Sequence, residues 1–360
     1  MFHAKGGGCP SASAPMPALL RYNRGVNDLF HDVAPRPMRV ILLGASGTIG
    51  QATLAALLAR GHEVVCLMRP PQRPVSGPSA PELAGASVRY GVISDAESVT
   101  RWGFQSQSFD AVVSCMASRS GLPQDAWAVD HEAHRHVLDA ALHAGVQHFV
   151  LLSAICVQKP RLAFQHAKLA FEQALIESGM AYSIVRPTAY FKSLSGQIQR
   201  VREGKPFWVF GDGRQTACKP IADEDLADYL AQCLTDPARR NQILPIGGPG
   251  PAITPLQQAE ELFRLLNRPA HIRHMPLGLF QAMVGVLSWL ARWVPSLRDK
   301  AEFARIGQYY ASESMLVLDP STGRYDEAAT PSHGQRSLFD FYQRVITQHT
   351  QVDLGDHAVF

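Results

Sequence analysis

The segment Met38–Arg69, MRVILLGASGTIGQATLAALLARGHEVVCLMR, constrains the fold more than any other part of the chain. Arg39 to Leu43 is a short aliphatic run ended at once by glycine, the pattern of a strand buried on both faces. Gly44, Gly47 and Gly50 follow. Gln51 to Arg60 then carries apolar residues at helical spacing, and Gly61 closes the helix. His62 to Met68 reads as a second buried strand. Strand, glycine turn, helix, strand is half of a dinucleotide-binding unit.

The glycines answer a physical need. A helix N-terminus offers unpaired N–H groups and partial positive charge, which suit a pyrophosphate. Gly44 and Gly47 let the backbone close on the phosphates, with Ser46, Thr48 and Ile49 in the same turn, and Gly50 lets the helix lie against its own strand. The end of the second strand selects the nucleotide, an acid there holding the NAD ribose and an arginine the extra phosphate of NADP. Here the strand ends in Arg69 with no carboxylate nearby. Its planar fork suits a phosphate, so the expected cofactor is NADPH.

The pattern of strands alternating with helices continues to Arg186, with further strands at Ser87–Val92, Phe109–Ser114, Gln147–Ser153 and Tyr182–Arg186. Long helices fall at Gln124–Ala144 and Arg161–Ser178. The fold class is therefore α/β, a doubly wound parallel sheet of the Rossmann type, with ligands held beyond the carboxyl ends of its strands. Phe207–Phe210 is a later short strand, Asp223–Leu234 a helix, and Gln242–Ile246 a strand returning to the sheet. Helices near Pro255–Leu266 and Leu277–Trp293 belong to a smaller mixed lobe facing the substrate. The expected division is a leader at 1–37, a cofactor domain at 38–187 and 222–247, a substrate lobe at 188–221 and 248–345, and a tail at 346–360.

Composition excludes some classes. A net charge of +3 with scattered basic residues gives no stripe for nucleic acid. Cys9, Cys66, Cys115, Cys156, Cys218 and Cys233 lie far apart with no Cys-x-x-Cys pair, which fits reduced thiols. The leader is rich in Ala, Gly, Pro and Ser, with Lys5, Arg21 and Arg24 preceding its first acid, Asp28. It reads equally as an organelle transit segment or a plain extension, so the expected location is cytoplasmic, or a plastid if the leader is a transit segment. The apolar stretch Leu277–Val294 is broken by Gln281, Ser288 and Arg292, too often to span a bilayer, but it can lie on a membrane surface.

Two later segments carry the chemistry. Leu151 to Pro160 reads LLSAICVQKP, and Phe164-Gln165-His166-Ala167-Lys168 follows. Short-chain dehydrogenases place a serine after this strand and a tyrosine four residues before a lysine, on one helical face. Ser153 and Lys168 stand at those positions, but Phe164 replaces the tyrosine and has no proton to give. More specific wording follows in SIVRPTAYFKSLSGQ (183–197), FGDG (210–213), LPIGGPG (244–250) and YYASESMLVLDP (309–320). With LLSAICVQKP these runs resemble the divinyl (proto)chlorophyllide 8-vinyl reductases, an atypical NADPH-dependent branch of the short-chain dehydrogenase/reductase family. The resemblance spans Met38 to about Val345, and Phe164-x-x-x-Lys168 agrees with that branch. Val92 departs from it, standing where the pattern has an aspartate for the adenine.

The resemblance implies reduction of the C8 vinyl group of a Mg-tetrapyrrole, divinyl chlorophyllide or protochlorophyllide, in (bacterio)chlorophyll synthesis, in a photosynthetic bacterium or a plastid. Hydride added at the vinyl terminus sends charge into the conjugated ring and not onto one oxygen, so a phenolic acid at 164 is dispensable. What matters is a reacting distance of about 3–3.5 Å. Lys168 is then expected to anchor the nicotinamide ribose, and Ser153 to be an active-site hydroxyl. Lys168, Tyr190, His166 or an ordered water would supply the proton for the inner carbon. Pro187 and Thr188 are expected to reach the nicotinamide amide, with Cys115 beside the cofactor loops. The substrate brings its own magnesium, so no protein metal site is expected. His131, His134 and His136 come near metal-ligand spacing, but positions three and five apart on a helix diverge, so they read as a solvated helix face. Phe191, Phe207, Trp208, Phe280, Trp289 and Trp293 are candidate walls of a flat pocket, or ordinary core. The rivals are a non-catalytic NADPH-binding sensor or assembly factor, and a different ene reductase.

Overall fold

The computed structural model describes residues 36–70, 83, 85–348, 350 and 352, so the expected leader lies outside the described residues apart from its last two positions. The first half builds β1 (Arg39–Leu43), α1 (Thr48–Ala59), β2 (Glu63–Met68), β3 (Ser87–Tyr90), α2 (Ala96–Ser98) and β4 (Ala111–Ser114). It continues through α3 (Pro123–Ala126), α4 (His134–His143), β5 (His148–Leu152), α5 (Ala163–Glu177) and β6 (Ala181–Pro187). After α6 (Ile198–Arg202) and β7 (Phe207–Phe210), the chain returns by α7 (Asp223–Gln232) and β8 (Gln242–Ile246). The main sheet has seven strands in the order β3-β2-β1-β4-β5-β6-β8. Every neighbouring pair is parallel.

Alternation along each strand feeds two cores. Ile41 and Leu43 face one layer with Val65, Val112 and Phe171, whereas Val40 and Leu42 face the other with Val64, Val185 and Leu230. The strand order reverses between β1 and β4, which opens a crevice at their carboxyl ends. Gly44 ends β1 at that crevice and Cys115 follows β4, with Cys115 N–H donating to the Leu43 carbonyl at 3.0 Å.

Two expected elements are changed. The third strand stops at Tyr90, because Val92 N–H turns to the Ser98 hydroxyl at 2.8 Å. The helix expected from Gln124 to Ala144 is interrupted, Trp127–Ala133 widening to π geometry between α3 and α4. Asp130 lies in that widened turn and is 1% exposed. Such bulges often sit at functional sites.

The remaining chain forms α8 (Pro255–Leu265), β9 (Ile272–Met275), α9 (Leu277–Leu290) and α10 (Arg298–Ser312). A short hairpin, β10 (Val317–Leu318) and β11 (Tyr325–Asp326), precedes α11 (Leu338–Thr347). β9 pairs parallel with β7, setting Phe210 opposite Met275. Phe207, Val209, Leu262 and Tyr342 pack into a separate core. β9, α10 and α11 were not among the expected elements, and α11 runs across the boundary expected after Val345. Among the described residues no helix is long and apolar enough to cross a membrane. The cysteines described, Cys66, Cys115, Cys156, Cys218 and Cys233, are free thiols.

Candidate active site

The glycine turn is shaped by contacts no side chain could share. Gly44 has φ +77°, and a Cβ there would fall 2.7 Å from the Cys115 carbonyl. A Cβ on Gly50 would fall 2.0 Å from the Gly44 oxygen, so α1 lies on β1 only because Gly50 is bare. Gly47 differs, since its Cβ would meet only the Gly44 oxygen at an ordinary 3.5 Å. The space beyond it is open. No side chain caps α1 at Gly47, leaving first-turn N–H groups directed at that space. Lys192 Nζ, 3.3 Å from Thr48 Oγ1, adds a cation at the same helix end. A bare turn, uncapped donors and a lysine fit a dinucleotide pyrophosphate.

The turn forms one end of a cavity of about 520 Å³ at the carboxyl ends of the sheet. Gly47, Thr48, Ile49, Gly50 and Cys115 line it at the nucleotide end. Ser153, Lys168, Pro187, Thr188 and Tyr190 line it farther along the sheet. Gly44 and Ser46 belong to the same turn but lie outside the cavity lining, Ser46 exposed. Arg69 stands exposed after β2, outside the cavity lining and next to residues 71–82, which are not described.

Lys168 is held by a partner that sequence reasoning missed. Its ammonium donates to Asp130 Oδ1 at 3.0 Å, and the Asp130 side chain is wholly buried. The Ser118 hydroxyl donates to the other carboxylate oxygen at 2.6 Å. Burial alone would raise the Asp130 carboxyl, but Lys168 and Ser118 hold it below the usual range. Asp130 precedes Lys168 by 38 residues, so no local spacing signals the pair. Phe164, one turn earlier on α5, is 9% exposed and faces the same cavity.

Ser153 follows β5 as expected, yet its hydroxyl donates to Glu172, whose carboxylate also receives the Arg186 guanidinium. Ser153 thus joins a buried ionic network at the edge of the cavity it lines. Thr188 donates to the Lys219 carbonyl through its hydroxyl and to the Ile246 carbonyl through its N–H at 2.9 Å, which ties the turn after β6 to β8. Burial, with Cys115 and Asp223 adding to it, keeps the Tyr190 phenol far above its ordinary range and therefore protonated. Burial likewise raises Asp223, another lining residue, to about 6. The Cys115 thiol is pushed up to about 12 by burial, leaving it an inert wall.

Other expectations need correction. His134 is not solvated. It is 1% exposed, with Nε2 2.8 Å from the Ser114 hydroxyl and Nδ1 2.8 Å from the Val129 carbonyl, and burial lowers it to about 4. His166 is exposed and outside the cavity lining. Of the six aromatics, Phe207 and Trp208 line the cavity. Phe191 and Phe280 pack in cores, and Trp289 and Trp293 stand exposed. Residue type alone does not separate wall from core.

Comparisons place these features among known proteins. The sequence pattern of an NAD(P)H-binding family matches residues 44–237. The chloroplastic divinyl chlorophyllide a 8-vinyl-reductase of Oryza sativa subsp. indica is 45% identical over 98% of this chain and 86% of its own length. Its namesake from Arabidopsis thaliana is 44% identical over 89% of this chain and 79% of its own length. The NADPH-dependent quinone oxidoreductase QOR2 from Escherichia coli, solved with NADPH, superposes with a TM-score of 0.63 at 19% identity. That match covers 85% of this chain and 99% of the other, and it shows a shared fold.

Proposed function

The chain belongs to the divinyl chlorophyllide a 8-vinyl-reductase family of NAD(P)H-binding proteins, and on that premise we propose that it reduces the C8 vinyl group of a Mg-tetrapyrrole, divinyl chlorophyllide or protochlorophyllide, to ethyl. The observation that carries the reading is the pairing of a kept, buried-partnered Lys168 with a phenyl ring at 164 in the cavity above the nucleotide turn. That pairing preserves cofactor binding while removing the proton donor that carbonyl chemistry needs. Vinyl reduction does without it, because the charge spreads over a macrocycle.

The proposed cofactor is NADPH, supported by Arg69 at the end of β2 and by the missing acid there. When bound, its nicotinamide supplies hydride. Gly47 and the first turn of α1 receive the pyrophosphate, with Lys192 beside them. Lys168 holds the ribose, and Asp130 fixes where its ammonium points. Ser153 acts through Glu172 and Arg186, keeping the end of β5 against β6. Pro187, Thr188 and Tyr190 flank the nicotinamide. In this reading 38–187 and 222–247 carry the cofactor, joined by Thr188, Tyr190 and Lys192 at the start of the second part, and the rest of 188–221 with 248–345 faces the pigment. The relatives' chloroplastic names support a plastid setting.

Peripheral membrane contact is the remaining part of the reading. On α9 and just beyond it Leu279, Val286, Trp289 and Trp293 are 58–76% exposed. Arg273, Arg292, Arg298 and Lys300 flank them, a composition suited to an anionic interface. Trp289→Ser with Trp293→Ser should release the protein from anionic vesicles in sedimentation, and unchanged sedimentation would count against contact.

The function is tested with purified protein, NADPH and divinyl chlorophyllide. The expected result is a small blue shift of the Soret band as one conjugated double bond is lost. An unchanged spectrum with NADPH unoxidised would overturn the reading and favour the sensor.

A further inference from the structure

Resting on the vinyl-reductase reading, we infer that Tyr310 on α10 is the acid that protonates the inner vinyl carbon, in place of the tyrosine absent at position 164. α10 presents Phe303, Ile306 and Tyr310 to the cavity at spacings of three and four, one helical face. That face lies against Phe164. The Cβ position of Gly121 is 3.4 Å from Ile306 Cδ1 and 3.6 Å from Phe164 Cδ1. Tyr310 is one turn beyond Ile306. Its hydroxyl lies 4.0 Å from Sγ of Cys156, a 2%-exposed residue on the turn leading from β5 to Phe164 and Lys168. The residue is 38% exposed overall, and its hydroxyl is directed at the buried Cys156 thiol.

The helix is clamped in that position. The Tyr309 hydroxyl lies 2.9 Å from the Cys156 carbonyl and 3.1 Å from the Lys159 carbonyl, and its ring stands edge-on to Tyr310. Just past α10, buried Glu313 accepts from Lys159 at 2.7 Å, from Arg161 at 3.0 Å and from the Tyr325 hydroxyl at 2.7 Å. Four contacts to the Cys156–Arg161 segment therefore preorganise the phenol.

The competing groups are spoken for. Lys168 is paired with Asp130, the Ser153 hydroxyl is bonded to Glu172, and His166 lies outside the cavity lining. Tyr190 lines the cavity from the turn after β6, beside Pro187 and Thr188, whereas Tyr310 enters it from α10. Burial, and after it Cys156, keeps the Tyr310 phenol protonated at neutral pH. The step balances. Hydride forms a C–H bond at the vinyl terminus, the π pair passes to the inner carbon and the ring, and that carbon takes the Tyr310 proton. The phenolate is reprotonated by water, and the nicotinamide is the group oxidised.

Tyr310→Phe, Tyr310→His and Tyr190→Phe would be compared with wild type in single turnovers and in binding titrations with NADPH alone and pigment alone. The expected result for Tyr310→Phe is a rate about 10²–10⁴-fold lower, with both affinities within about twofold and a larger solvent deuterium effect. Tyr310→His, which keeps a donor, should recover part of the rate. A Tyr310→Phe rate within about threefold of wild type would overturn the assignment. So would equal impairment of Phe and His variants, loss of pigment affinity matching the loss of rate, or a loss confined to Tyr190→Phe. A wild-type protein that leaves the vinyl group intact defeats the underlying reading, and the Tyr310 assignment with it.

Discussion

Gly47→Ala should separate the cost of binding from the cost of folding. Gly47 has φ −80° and ψ 163°, ordinary for alanine, and an added Cβ meets only the Gly44 oxygen at 3.5 Å. The free protein should therefore melt within a degree or two of wild type. The methyl, however, projects into the space where phosphate oxygens approach the first-turn N–H groups. Losing one charge-assisted hydrogen bond costs about 1.5–3 kcal/mol, which is roughly a 10–150-fold weaker NADPH affinity. Gly50→Ala is the contrast. Its Cβ would fall 2.0 Å from the Gly44 oxygen, forcing α1 away from β1. Overpacking of this kind costs about 1–3 kcal/mol and lowers the melting point by several degrees or more. The assay is a thermal melt without cofactor, followed by fluorescence titration with NADPH. The reasoning is refuted if Gly47→Ala melts as low as Gly50→Ala, or if it binds NADPH within about threefold of wild type.

Two further outcomes concern the buried ionisable groups. Asp130→Asn strands the Lys168 ammonium in a site where it is only 12% exposed, and should cost about 3 kcal/mol in denaturant unfolding. Adding Lys168→Met should recover much of that stability while leaving NADPH affinity low; no recovery would show that the pair was not the cause. Stability should rise between about pH 4 and 6.5 and then level off, because burial holds His134 and His148 near 4 in the folded chain against 6.5 unfolded. The unfolded chain binds more protons in that window, so each histidine contributes up to about 3 kcal/mol that is lost on acidification. Denaturant midpoints at several pH values check this, and His134→Gln should flatten the slope.

Several strands were legible because period and composition coincide in them. Arg39–Leu43, Phe207–Phe210 and Gln242–Ile246 are brief aliphatic or aromatic runs ended by glycine or a turn, and each appears as a strand over those bounds. The glycine turn was equally plain, since only steric need explains three bare positions there. What escaped depends on distance along the chain. Asp130 meets Lys168 from 38 residues away, and Glu313 meets Lys159 from 154. α10 mixes charged and aromatic residues in RDKAEFARIGQYYAS, and its cavity face shows only once Ile306 is seen beside Phe164. Ser153 was placed correctly in sequence, but its direction toward Glu172 is set by Arg186 on the neighbouring strand.

If hydride is delivered to the alkene and the macrocycle absorbs the resulting charge, isotope labels divide between the two carbons of the new ethyl group. With NADPH deuterated on the transferring face of C4 and divinyl chlorophyllide in ordinary water, deuterium should appear on the terminal carbon of the new ethyl group. Solvent deuterium, in the reverse experiment, should appear only on the inner carbon. Cofactor deuterium on the inner carbon, or none in the pigment at all, would contradict this mechanism.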